Sequence, residues 1–298
     1  MYSQISYQQT SIRLQANLHH LKSRIFLING RKPYARGYLS YRHLRLKEYL
    51  DGGFPSGQLP AGWGLWLDER SVEYPWFFSR LPDTPGRLLD AGSVLNFDYV
   101  LAHASLTNKT IYIHTLAPEA QNYCDRAISY VYGDIRDTCY RDNYFHWIVS
   151  ISTLEHVGMN NTLLYTRDVS ENECNPDAYI RATIELHRIL KPGGSLFVTL
   201  PFGRARDHGW LQIFNLHMVE RLIDAFDPVS HVRSFFRYDQ AGWQRSSVEE
   251  CQNAKYFDIW NTTTRQTDFA AAEAVVCLEL VKRRECSDCP QPLCPTPQ

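Results

Sequence analysis

The stretch Arg87-Leu-Leu-Asp-Ala-Gly-Ser-Val-Leu-Asn96 leaves this chain few possible architectures. Leu88 and Leu89 read as the end of a short buried strand. Asp90-Ala-Gly-Ser breaks the apolar run, which resumes at Val94, Leu95, Phe97, Tyr99, Val100 and Leu101. Strand, tight glycine turn and helix in succession open a parallel α/β sheet. Gly92 has no Cβ, so the backbone there can take φ > 0 and a ligand can come close to it. In open α/β sheets, nucleotide-like ligands bind at a loop of this kind, beyond the carboxyl end of a strand.

Strands and helices alternate downstream. Strands are expected at 109–115, 130–134, 146–152 and 195–200, and two late ones near 229–238 and 274–282. A helix is expected from about Pro176 to Leu190, capped by Asn175 and stopped by Lys191-Pro-Gly-Gly194. Another is marked by Leu216, Val219, Leu222, Ile223 and Phe226. The pattern predicts an α/β fold: a seven-stranded, mostly parallel sheet with helices on both faces. The two late strands would form an antiparallel edge hairpin around an insertion at about 240–267. Upstream, 37–50 has the pattern of a short helix, and Val72, Trp76, Phe77 and Leu81 make an apolar stripe leading into the first strand. The expected division is an N-terminal extension (1–66, a helical lid or acceptor platform), a main domain (67–283) and a Cys/Pro tail (284–298).

Composition narrows the class. A formal net charge of -1 lacks the basic excess of a dedicated nucleic-acid binder. No apolar run approaches the roughly 20 residues of a membrane helix, and the N-terminus lacks the apolar core of a signal peptide. A cytoplasmic location follows as the expectation, and a homo-oligomer is allowed. Five of the eight cysteines are scattered, as ordinary thiols in a reducing compartment would be. Cys286, Cys289 and Cys294 lack a fourth ligand for a closed zinc site, so no metal is expected.

Four landmarks in order resemble the class I S-adenosylmethionine-dependent methyltransferases, whose fold is Rossmann-like. Leu88-Leu-Asp-Ala-Gly92 is similar to the family's first motif and Gly133-Asp134 to its adenine-binding motif. Ile148 to Val157, containing Leu154-Glu-His156, is similar to the segment after the fourth strand. Leu190 to Val198, containing Lys-Pro-Gly-Gly, resembles the turn into the fifth strand. There are two departures. Val94 and Asn96 stand where the family has further glycines, and Thr115 stands where it has an acidic residue at the ribose. A narrower likeness to methyltransferases of polysaccharide and glycan assembly rests on Glu73-Tyr-Pro-Trp76, Ser152-Thr-Leu-Glu-His156, Leu200-Pro-Phe-Gly203 with His208-Gly-Trp210, and Gly242-Trp243. It implies a sugar hydroxyl as acceptor, on a saccharide or glycan intermediate that could carry phosphate.

The resemblance implies S-adenosylmethionine as cofactor. Asp90, Gly92, Ser93 and Asn96 would surround its methionine and ribose, with Thr115 at the ribose. Asp134 and the Ile135 backbone would meet the adenine, and Ser152 would line the floor. For the base, His156 is the first candidate, because a near-neutral imidazole suits proton abstraction. Glu155 adjoins it, and Asp207 with His208 forms a second candidate pair. Each also has a plain structural reading: a turn aspartate at Asp134, a helix-start histidine at His156, a solvated loop at 207–208. Trp210, Phe202, Trp243 and Tyr238 are candidates for stacking on a sugar ring, and Arg204, Arg206 and Lys191 for meeting a phosphate. The alternatives are a natural-product methyltransferase and a degenerate fold serving as a binding subunit. A dehydrogenase is disfavoured, since Leu-Glu-His and Lys-Pro-Gly-Gly have no role there.

Overall fold

The computed structural model describes residues 17–31, 34–119, 121–162, 164, 168–258 and 271–284. The tail cysteines, Lys32-Pro33 and the end of the 240–267 insertion lie outside the described residues. Residues 17–28 are helical (α1), followed by α2 (Tyr38–Gly52) and α3 (Arg70–Phe78). The sheet then begins: β1 (Gly86–Ala91), β2 (Lys109–Thr115), β3 (Ser129–Tyr132), β4 (Phe145–Ile151) and β5 (Leu190–Pro201). A one-turn helix α4 (Asp98–Leu101) follows β1, and α5 (Ala178–Ile189) precedes β5. A small ribbon, β6 (Arg206–Asp207) with β7 (Gln212–Ile213), leads to α6 (Leu216–Phe226). Strands β8 (Ser230–Asp239) and β9 (Gly242–Ser246), the short helix α7 (Val248–Cys251) and β10 (Ala274–Val281) complete the order.

The main sheet has eight strands in the order β3-β2-β1-β4-β5-β10-β8-β9. The first five pair parallel, while β10 runs antiparallel to both β5 and β8. This corrects the expected count of seven strands, while the two late strands do pair antiparallel as expected. The late strand 274–281 inserts between β5 and β8, and the edge belongs to β9, which pairs with β8. The physical reason is burial. Ala274 to Leu278 are almost wholly enclosed, as an interior strand must be, whereas β8 opens with three exposed residues, Ser230 to Val232.

The helix expected after β1 is the single turn α4. The chain from Val94 is instead held by the N-terminal segment. Tyr74 Oη donates to Val94 O at 2.6 Å, and Leu95 and Val100 share a buried cluster with Val72, Tyr74, Trp76 and Phe77. The same cluster takes Tyr38 and Leu46 of α2 together with Leu88 and Val149 of the sheet. Helices from before the first strand therefore cover this face. On the other face, α5 and α6 pack over Leu89, Ile148 and Val198. Lys191 to Gly194 does not stop the chain ahead of the strand but bulges within β5, between the Phe145–Leu190 and Trp147–Ser195 pairings. Gly193 takes φ +77° there and its N–H donates to Lys282 O. Helix α5 starts at Ala178 from Asp177, two residues beyond the expected cap, with no side-chain cap bond.

Candidate active site

At the carboxyl ends of β1, β2 and β3 lies a crevice of ≈ 440 Å³. Gly92, Thr115, Asp134, Ile135, Thr153 and His156 line it. The glycine turn and the acidic turn after β3 thus face one space. Gly92 has φ +128°, and a Cβ there would come 2.1 Å from Thr153 Oγ1. No other residue fits, because both the backbone angle and the packing exclude a side chain.

The rest of the turn is built inward. Asp90 is fully buried and accepts from Val94 N at 3.2 Å and Leu95 N at 2.7 Å. Burial lifts its carboxyl to about 7. Ser93 and Asn96 both donate to Glu119, and Asn96 Oδ1 accepts from Tyr130 Oη at 2.8 Å. None of these three is among the crevice-lining residues. Asn96 at the place of a family glycine is a strut between two loops.

At the end of β2 two polar atoms are buried without a partner among the described residues, Thr115 Oγ1 and His114 Nδ1. His114 Nε2 lies 3.0 Å from Gly133 O. A carbonyl only accepts, so Nε2 carries the proton and Nδ1 offers a lone pair. A hydroxyl and an imidazole nitrogen without partners, beside a bare glycine, fit the ribose hydroxyls of an adenosyl group. Asp134 Oδ1 accepts from the Arg136 backbone N–H at 2.8 Å, and the Arg136 guanidinium bridges Asp134 and Glu173. Burial opposes ionisation of Asp134, but the Arg136 hydrogen bonds outweigh it and hold the carboxyl below its usual range.

His156 also lines a second cavity, of ≈ 220 Å³, with Ser152, Glu155, Asp68, Glu69 and Arg70. Tyr34, Trp210 and Tyr256 give it aromatic walls. His156 Nδ1 lies 2.9 Å from Trp210 O, so Nδ1 carries the proton and Nε2 is the lone-pair nitrogen. Burial pushes the imidazole down to about 4. Burial also pushes Glu155 well up, and Glu69 to about 7 with help from neighbouring Asp68. Among the described residues, Asp68 Oδ1, Glu69 Oε2 and Glu155 Oε2 are buried oxygens with no hydrogen-bond partner. Beneath them Glu73 is fully buried. It accepts from Ser152 Oγ at 2.7 Å and Thr199 Oγ1 at 2.6 Å, and pairs with Arg70.

Asp207 and His208 do not pair. Asp207 is exposed and accepts from Gly209 N at 2.6 Å. The partner of His208 is Asp258, at 3.1 Å, which also accepts from Trp210 Nε1. Asp207 ends β6 and His208 lies just beyond it, and a residue fifty positions away takes the place that adjacency suggested. Of the proposed stacking residues, Trp210 reaches the second cavity, whereas Phe202, Trp243 and Tyr238 are core. Arg136, Glu173, Arg42, Asp68, Glu69 and Tyr256 escaped the sequence reading. Only Arg136, two residues past Gly133-Asp134, had a positional signal. The others are gathered by long-range packing.

Residues 91–198, just over a third of the chain, match the family model described as a methyltransferase domain. No curated protein matches the chain significantly. Among solved structures, a 1,6-didemethyltoxoflavin-N1-methyltransferase from Burkholderia thailandensis is 16% identical over 67% of this chain and 72% of its own, at TM-score 0.40. A methyltransferase from Thermotoga maritima is 15% identical over 71% and 88%, at TM-score 0.41. A phosphoethanolamine N-methyltransferase from Haemonchus contortus is 13% identical over 71% and 52%, at TM-score 0.45. At these scores the likeness says nothing about the group methylated. The matched segment ends inside β5 and contains the glycine turn, Asp134 and His156, so the part of the chain that is similar to a methyltransferase domain is the part that builds the crevice just described.

Proposed function

We propose that this enzyme transfers the methyl group to a hydroxyl of a saccharide or glycan intermediate seated in the second cavity. The observation that supports this is the position of His156, on the wall of both the crevice and the acidic cavity. Bound S-adenosylmethionine supplies a methyl already activated on a sulfonium, so the protein's work is to orient the acceptor and remove its proton. His156 takes that proton at Nε2. Asp68, Glu69 and Glu155 present oxygens that need donors, and a polyhydric ring supplies several. The walls of Trp210 and Tyr256 suit the apolar C–H side of such a ring. Tyr34 and Arg42 bring the 1–66 segment into the same cavity, consistent with an acceptor platform.

On the cofactor side, we assign Thr115 and His114 to the ribose, Asp134 and the Ile135 backbone to the adenine, and Gly92 to close backbone approach. Asp90, Ser93 and Asn96 act by holding the turn, and Ser152 by shaping the acceptor floor. Glu155 completes the acceptor wall.

Asp134→Ala is expected to weaken S-adenosylhomocysteine binding by at least about tenfold, the value of one charge-assisted hydrogen bond. Calorimetry checks it, and unchanged affinity would remove Asp134 from the adenine site. The reaction itself is tested with methyl-labelled cofactor against nucleotide sugars and lipid-linked glycans. Label recovered as a sugar methyl ether is the expected result. Label recovered only on amines or natural-product phenols would overturn the reading.

A further inference from the structure

Beyond the acceptor cavity lies a third one, of ≈ 390 Å³, lined by Arg204, Arg206, His208, Lys255 and Tyr256 among others. Tyr256 belongs to both walls, so the two cavities adjoin. Their linings differ in charge. The acceptor cavity sets three carboxyl residues, Asp68, Glu69 and Glu155, against two arginines, Arg42 and Arg70. Among the described residues, the third cavity has no acidic lining residue. Its cations are also unspent. Among the described residues, the side chains of Arg204, Arg206 and Lys255 make no hydrogen bond or ion pair. Elsewhere Arg136, Arg188, Arg221, Arg233 and Arg237 are paired with carboxylates. The nearest acidic groups are committed: Asp258 to His208 and Trp210, Asp207 to the Gly209 amide, and Glu273 to Arg237 and the Lys255 backbone.

The loop geometry fixes two of the cations. Arg204 N donates to Ala254 O at 3.1 Å, and Gly203, at φ +157°, lets the two backbones meet; a Cβ there would lie 2.3 Å from Ala254 O. This contact brings the 204–206 segment beside Lys255. Three cations without an ion pair among the described residues on one concavity favour an anion, and two arginine forks match the oxygens of a phosphate.

We propose that the cavity lined by Arg204, Arg206 and Lys255 binds a phosphate or diphosphate on the acceptor, whose sugar end reaches past Tyr256 toward His156. The acceptor is then a phosphorylated saccharide, with donors at the reacting end and charge at the other. This rests on the saccharide reading above. A nucleoside diphosphate, a lipid diphosphate and a simple sugar phosphate share this chemistry.

The test uses the full chain and two readouts. First, pyrophosphate alone is titrated into the S-adenosylhomocysteine complex. Wild type should bind it with an affinity that falls as salt rises, and Arg204→Ser/Arg206→Ser should lose about tenfold or more per cation removed. Lys255→Ser provides a third, independent variant should the double one fold poorly. Second, methyl transfer is compared on matched saccharides, each free, as the 1-phosphate, as the nucleoside diphosphate sugar and as the lipid diphosphate. The phosphorylated forms should show the lower KM, and the arginine variants should erase that difference. The last three arms identify the source of the phosphate. Equal KM for free and phosphorylated forms, with no effect of the variants, would overturn this inference while leaving saccharide methylation standing. Pyrophosphate binding lost in the variants, with no saccharide methylated, would keep the anion site and overturn the saccharide reading.

Discussion

His156→Asn should lower kcat by about 10²–10⁴-fold, the usual worth of a positioned general base. Asparagine is the informative replacement. Its amide can still donate to Trp210 O, as Nδ1 of the imidazole does at 2.9 Å, so the loop keeps its tie. What disappears is the lone pair of Nε2. The affinity for S-adenosylhomocysteine should change little, which separates a lost base from a collapsed crevice. The pH profile gives a second check. His156 must be neutral to accept a proton, and burial holds it at about 4. The acid limb of kcat should therefore lie near pH 4, well below the ordinary histidine range. An acid limb near 6.5 would mean that water reaches this imidazole. Unchanged kcat in the asparagine variant would remove His156 from proton transfer.

Glu73→Gln should cost about 3–5 kcal/mol of stability, toward the lower end because Arg70 keeps some solvent contact. Glutamine can still accept from Ser152 and Thr199 through its amide oxygen. Its missing charge leaves the Arg70 guanidinium without its counterion at the base of the acceptor cavity. Urea unfolding of the full chain measures the loss. The double variant Arg70→Met/Glu73→Gln should recover a large part of it, because removing both charges is far cheaper than stranding one. Ser152 makes the link to function. It sits at φ +42°, a conformation that a serine adopts only when held. Glu73 and the Thr199 carbonyl hold it, and with it the start of the segment that carries Glu155 and His156.

The parallel half of the sheet was legible because each strand announces itself locally. Leu88-Leu89, Ile111 to Ile113 and Ile148-Val149 are short apolar runs bounded by turn residues, and β1 to β4 fell within a residue or two of expectation, whereas β5 begins five residues early, at Leu190. Gly92 was legible for a related reason, since a turn that admits no Cβ leaves a mark in the residue itself. The place of β10 was not legible. Its apolar run says that it is buried, but pairing order is a choice among partners of similar pattern, decided by which neighbours close the sheet. The absent helix after β1 was likewise hidden, because its seat is taken by residues some twenty positions upstream.

The sequence by itself determined the positions of the parallel strands along the chain, the glycine turn, the acidic turn at Asp134 and the presence of His156 after β4. These are short-range features, in which spacing and residue type already imply geometry. Only the tertiary structure decided that His156 stands between two cavities, that His208 answers to Asp258 and that Glu73 supports the acceptor floor. Those relations join residues that burial brings together from distant parts of the chain. Pairing of buried charge depends on position in space, and a linear pattern does not carry it.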